Sequence, residues 1–292
     1  MIDPVSSGSQ NTAQSPLRKE RRFRGVPVRI IIPNLVTLLA LCLGITAIRF
    51  AIEGRFDIAV YSILGAAILD GLDGRLARAL RGTSRFGAEL DSLADFVDFA
   101  VAPGIILYLY SLHEIKSIGW FAALLFAIAG ALRLARFNVM IDDPNKPAWM
   151  GNFFTGMPAP AGAIVGLLPV YLSLTFFGPD APREYVVLQV IYFIGVAFLM
   201  ASRIPHFSGK NLGRVPRDIV IFVLFGIAAF ILLAATFPMQ VLIFVSLGYL
   251  ATIPLAIRRF KAFEVADKVA AETAAVPPVM PAANDPASNE KA

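Results

Sequence analysis

The sequence predicts an all-α fold, a polytopic membrane helix bundle of about eight transmembrane helices. Three observations carry this. The 292-residue chain is 57% hydrophobic and 16% charged, with a mean hydropathy of +0.68, whereas soluble domains are nearer a quarter charged. Its apolar residues fall into runs long enough to cross a ~30 Å hydrocarbon core at ~20 residues each. Its basic residues gather in alternate connections between those runs, as expected when Lys and Arg are retained on the cytoplasmic side.

Taken in order, residues 1–29 form a polar and basic tail whose Ser/Gln-rich start offers almost nothing to bury. The stretch "RKERRFRGVPVR" before the first apolar run resembles the charged start of a signal peptide. The run that follows is too long for a signal h-region and no small-residue cleavage site comes promptly after it. It reads as a retained first helix with a cytoplasmic N-terminus. The expected spans are 31–52, 57–79, 92–112, 117–137, 157–178, 185–203, 217–236 and 239–257. Residues 261–292 read as a disordered cytoplasmic tail. With these spans, the N-terminal basic run, Arg75–Arg85, Arg133–Lys146, Arg203–Arg217 and Arg258–Lys261 all fall on one side. Both termini are then cytoplasmic. The net charge of +5 therefore belongs to topology, and no nucleic-acid partner is expected. The lone Cys42 excludes an intramolecular disulfide framework and a cysteine metal cluster. It reads as a small buried hydrophobe.

One stretch breaks the apolar pattern. "LDGLDGRLARALRGTSRFGAELDSLADFVD", 69–98, concentrates Asp70, Asp73, Asp91, Asp95 and Asp98. Asp70 and Asp73 share a face at the end of the second helix, and Asp91 and Asp95 share one at the start of the third. The connection between them, with Gly82 and Gly87, reads as a short cytoplasmic turn. Two antiparallel helices would thus aim four carboxylates at one another near the membrane surface. A salt bridge to Arg75 or Arg78 would account for one aspartate, but not for four in register; acids within spans are costly and usually functional. Converging carboxylates need a counter-charge. An all-oxygen set suits magnesium or manganese, which leave positions open for phosphate oxygens, and two such ions can clamp a phosphoryl displacement. Gly71, Gly74 and Ala77 leave room beside the acids, and Arg78 and Ser84 are placed to hold phosphate oxygens.

These residues fit D-x-x-D-G-x-x-A-R-x8-G-x-x-x-D-x-x-x-D at every fixed position, which resembles the signature of the CDP-alcohol phosphotransferases. The resemblance covers roughly residues 30–205 and implies a six-helix core. Residues 206–260 would then be two additional helices. It implies that Asp70, Asp73 and Asp91 ligate two divalent ions per site, and that Asp95 completes the cluster and acts as general base. It further implies that Gly74, Ala77, Arg78, Ser84 and Gly87 contact CDP-diacylglycerol. "IPNLVT", 32–37, resembles the family's first-helix nucleotide contact and adds Asn34 and Thr37; Pro33 and Asn34 also suit a plain helix N-terminus. A homodimer in the cytoplasmic (inner) membrane is implied as well.

Two further stretches bear on the acceptor. "GALRLARFNV", 130–139, and "GNFFTGMPAP", 151–160, resemble blocks of the family's bacterial membrane-type phosphatidylserine synthase branch, with Met157 in place of a leucine. The expected acceptor is L-serine, whose carboxylate an arginine can hold bidentately. Arg133, Arg136 and Asn138 are the candidate contacts; topology alone would also place arginines there. Asp98 stands where a neutral side chain is expected and can tune acceptor choice. Glycerol phosphate, inositol and choline are the alternative acceptors. A transporter is the rival class, but no second copy of the aspartate motif suggests a repeat. A structural anchor gives no reason for four carboxylates in register.

Overall fold

A computed structural model describes residues 27–141, 153–177, 185–207 and 216–275. Most of the N-terminal tail, Lys146, Gly151, Asn152, Arg183, Lys210, Arg214 and the end of the C-terminal tail lie outside the described residues. The elements in order are α1 (Val28–Ile52), α2 (Phe56–Ala79), α3 (Arg85–Phe96), a π-turn (Val97–Val101), α4 (Ala102–Tyr110) and a 3-10 turn (Leu112–Ile115). Then follow α5 (Lys116–Ile141), β1 (Phe153–Thr155), α6 (Ala159–Gly166), α7 (Leu168–Phe176), α8 (Val186–Ala201), β2 (Pro205–Phe207), α9 (Val220–Thr236) and α10 (Pro238–Ala275).

The result is an all-α membrane bundle. Five segments are long and apolar enough to cross a membrane: Val28–Ile52, Arg85–Tyr110, Leu112–Met140, Ala159–Phe176 and Pro238–Asp267. Val186–Ala201 and Val220–Thr236 are shorter apolar helices. The second expected span, α2, carries Asp57, Asp70 and Asp73 within its length. It is an apolar helix interrupted by the acids of the site.

Each expected span has a helical counterpart, with instructive differences. The third starts at Arg85, seven residues before the expected 92, because the Ser84 hydroxyl caps it by accepting from the Gly87 amide at 3.0 Å. Gly87 is therefore inside a helix, not in the turn. The same span widens into the π-turn at Val97–Val101, just before Pro103, whose missing amide cannot continue the α ladder. The last helix runs on to Ala275, past the expected tail start at 261, since "FEVADKVAAETAA" is rich in strong helix formers. Cys42 is exposed on α1 rather than buried; on a lipid-facing helix an apolar residue gains nothing by turning inward. The short two-stranded ladder of β1 on β2, antiparallel with Phe154 opposite His206, has no apolar run long enough to announce it.

The core joins α1, α2, α4–α8 and the start of α10. Phe126 on α5 stacks on Phe193 of α8, ring centroids 4.3 Å apart. Gly166 makes room for that pair, because a Cβ there would stand 3.1 Å from both rings. α1 packs along α2 and also against α3 and α4, which sets the frame for the aspartates.

Candidate active site

The site begins with two helices that must reverse direction tightly. α2 ends at Ala79, and Arg81 turns the chain with φ +50°. The Gly82 amide then donates to the Ala77 carbonyl, a helix-ending motif that normally puts a glycine at the left-handed position. Glycine is instead one residue later, where a Cβ would lie 2.0 Å from the Arg29 carbonyl oxygen of α1. The turn is thus pinned to the start of α1, and α3 leaves it packed against α1.

This reversal brings the acids together. One carboxylate oxygen each from Asp70, Asp91 and Asp95 lies within 4.8 Å of the others. Asp73 stands outside this triangle and is buried; the Thr37 hydroxyl donates to its Oδ2 at 2.6 Å. Among the described residues none of the five aspartates is ion-paired with a basic side chain, so the plain salt-bridge reading does not account for them. The three converging donors are all oxygen, with no sulfur or nitrogen, and fit a hard divalent cation.

Beside the triangle is a cavity of about 220 Å³ lined by Asn34, Thr37, Asp73, Gly74, Ala77, Arg78, Ser84, Gly87 and Asp91, among others. All seven residues expected to contact CDP-diacylglycerol meet here, from α1, the end of α2 and the start of α3. The glycines act differently. A Cβ at Gly74 would meet nothing nearer than the Arg78 guanidinium at 3.6 Å, so its gift is open space. A Cβ at Gly87 would stand 2.8 Å from Asn34 Oδ1, so its gift is the approach of α1. Thr37 and Ser84 also have structural partners, the first in Asp73 and the second in the α3 N-terminus.

The three residues expected to hold serine fall elsewhere. Arg133 is buried, its guanidinium 5.1 Å over the Phe137 ring. It lies within electrostatic reach of Asp95, Asp70 and Tyr249. Arg136 donates to the Ala201 and Ser202 carbonyls at 2.9 and 3.0 Å, which ties α5 to the end of α8. Asn138 donates to the Ser92 hydroxyl at 3.0 Å. Asp98 is 1% exposed with one oxygen lacking a hydrogen-bond partner. That oxygen would lie 1.9 Å from a Cβ at Gly44, so α1 meets the π-turn backbone-close.

Fold and site together define a membrane-embedded enzyme with a carboxylate cluster beside a polar cavity. A family model described as CDP-alcohol phosphatidyltransferase matches residues 30–247. The chain belongs to this family of transferases. Over 241 residues it is 42% identical to the CDP-diacylglycerol--serine O-phosphatidyltransferase of Mycobacterium leprae (strain TN), an overlap of 82% of this chain and 78% of that protein. The protein of the same name from Helicobacter pylori (strain ATCC 700392 / 26695) is 35% identical over 212 residues, 73% of this chain and 84% of the relative. That of Bacillus subtilis (strain 168) is 36% identical over 179 residues, 61% and 91%.

Proposed function

We propose that this protein transfers the phosphatidyl group of CDP-diacylglycerol to the hydroxyl of L-serine, giving phosphatidylserine and CMP. The observation that carries this reading is the convergence of Asp70, Asp91 and Asp95 at the edge of a cavity lined by the other fixed residues of the motif. The names of the relatives supply the acceptor.

In this reading Asp70, Asp73, Asp91 and Asp95 hold two divalent cations, magnesium or manganese. Bound there, the cations would offset the charge of the pyrophosphate and polarise its phosphoryl oxygens. The chain's own residues do the rest. Asn34, Thr37, Gly74, Ala77 and Gly87 shape the CDP pocket, and Arg78 and Ser84 hold phosphate oxygens. Asp95 takes the serine hydroxyl proton as the serine oxygen bonds to phosphorus and the bond from phosphorus to the CMP oxygen breaks. Arg133 holds the serine carboxylate. Arg136 and Asn138 support this wall through Ala201, Ser202 and Ser92.

The acyl chains stay in the bilayer while the headgroup reaches the aspartates. The clustering of basic residues supports an active site and both termini on the cytoplasmic side of the inner membrane. A homodimer is part of the proposal, by family resemblance. The test is an acceptor screen with labelled CDP-diacylglycerol and purified protein. Label should pass to a lipid with serine and not with glycerol phosphate, inositol or choline. Transfer to one of those and none to serine would reassign the acceptor.

A further inference from the structure

Outside the aspartate cluster, three buried polar atoms belong to residues on α5, β2 and α10, each without a hydrogen-bond partner among the described residues. They are Arg133 Nε on α5, the Tyr249 hydroxyl on α10 and His206 Nε2 on β2. Arg133 is 7% and His206 1% exposed. Buried polar groups are almost always paired, and an orphan calls for an explanation. Here the orphans are neighbours. Arg133 faces Tyr249, and the His206 ring stacks on Tyr249 with centroids 5.8 Å apart and planes at 14°.

Their chemistry is complementary to an amino acid. The guanidinium and the phenol are donors, suited to a carboxylate. The His206 Nδ1–H donates to the Ile204 carbonyl at 2.8 Å, which leaves Nε2 as an acceptor lone pair, suited to an ammonium. Burial pushes the imidazole below its ordinary pKa, with the Ile204 bond opposing in part, so the ring stays neutral. The wall is built, not incidental. Arg136 fixes the carbonyls of Ala201 and Ser202 just before β2, and the Gly156 amide donates to the Ile204 carbonyl at 3.0 Å. Arg133 is also within electrostatic reach of Asp95 and Asp70, beside which the reacting hydroxyl is placed in the proposed transfer.

We infer that Tyr249 and His206 complete the acceptor site: Arg133 and Tyr249 take the carboxylate of the acceptor amino acid and His206 Nε2 takes its ammonium. This rests on the proposed serine transfer and deepens it. It also gives the C-terminal helix α10, which lies beyond the six-helix core, a part in substrate choice.

The test uses the full chain in detergent with CDP-diacylglycerol and magnesium or manganese. Tyr249→Phe and His206→Phe should each raise the serine KM by about tenfold or more, the loss of one hydrogen bond to a charged group. The KM for CDP-diacylglycerol should stay within about twofold in both, which a general loosening of the bundle would not allow. Ethanolamine, which lacks the carboxylate, serves as the competing amine. Its inhibition constant should be unchanged by Tyr249→Phe and weakened by His206→Phe. An unaltered serine KM in both variants, or a parallel rise in the CDP-diacylglycerol KM, overturns the inference. Wild-type protein that makes no phosphatidylserine would overturn the serine transfer itself.

Discussion

Replacing Thr37 by valine removes one hydroxyl and leaves the side-chain shape nearly intact. That hydroxyl donates to Asp73 Oδ2 at 2.6 Å, and Thr37 and Asp73 are each 4% exposed. The bond crosses from α1 to α2 and fixes the carboxylate that faces the cavity. A hydrogen bond to a charged group contributes about 1.5–3 kcal/mol, and each 1.4 kcal/mol is a factor of ten. If Asp73 must be held in place for the reaction, Thr37→Val should lower kcat/KM for CDP-diacylglycerol by about 10- to 100-fold. Thr37→Ser keeps the donor and should recover most of the loss. The assay is CMP release at saturating serine over a range of CDP-diacylglycerol. Activity of Thr37→Val within about twofold of wild type would refute the reasoning. So would a serine variant as impaired as the valine one, since the methyl group would then matter and not the bond.

Three other outcomes follow from the same geometry. Asp95→Asn should lower kcat by about 10²–10⁴ while CDP-diacylglycerol still binds, and Asp98→Asn should keep most activity; the reverse pattern, read by steady-state kinetics, moves the base one turn deeper. Asp70→Asn, Asp73→Asn and Asp91→Asn should each abolish turnover and weaken divalent-ion binding measured by calorimetry. Gly44→Ala puts a methyl 1.9 Å from Asp98 Oδ1 and 3.1 Å from its Cα. Such overpacking costs about 1–3 kcal/mol and should show as a lower melting temperature in detergent, whereas Gly71→Ala, with open space around it, should not shift it.

What the sequence revealed depended on how local the cause was. The aspartates sit at fixed helical spacings, so their shared faces follow from 3.6 residues per turn, and the small residues between them sit where the cavity is. The bond from Thr37 to Asp73 spans 36 positions and depends on how α1 leans on α2, which no local pattern encodes. His206 and Tyr249 are further from view, since one comes from a two-stranded ladder and the other from the last helix. The single available signal was His206 itself, one of two histidines in the chain, set in the polar "SRIPHFSGK" between spans. Arg136 was expected to meet substrate, but an arginine beside a helix end can equally serve that end's free carbonyls, and that is where its guanidinium lies. Cys42 was expected inside by the logic of soluble cores, which a bilayer removes.

In the proposed transfer the acid cluster holds divalent cations, and through them the phosphates, while serine attacks. The most direct measurement is conversion of labelled serine to phosphatidylserine by purified protein supplied with CDP-diacylglycerol, first with EDTA and then with magnesium or manganese restored. No labelled lipid should form in EDTA, its formation should recover on adding either ion, and CMP should be released in equal amount. Full activity in EDTA would contradict it.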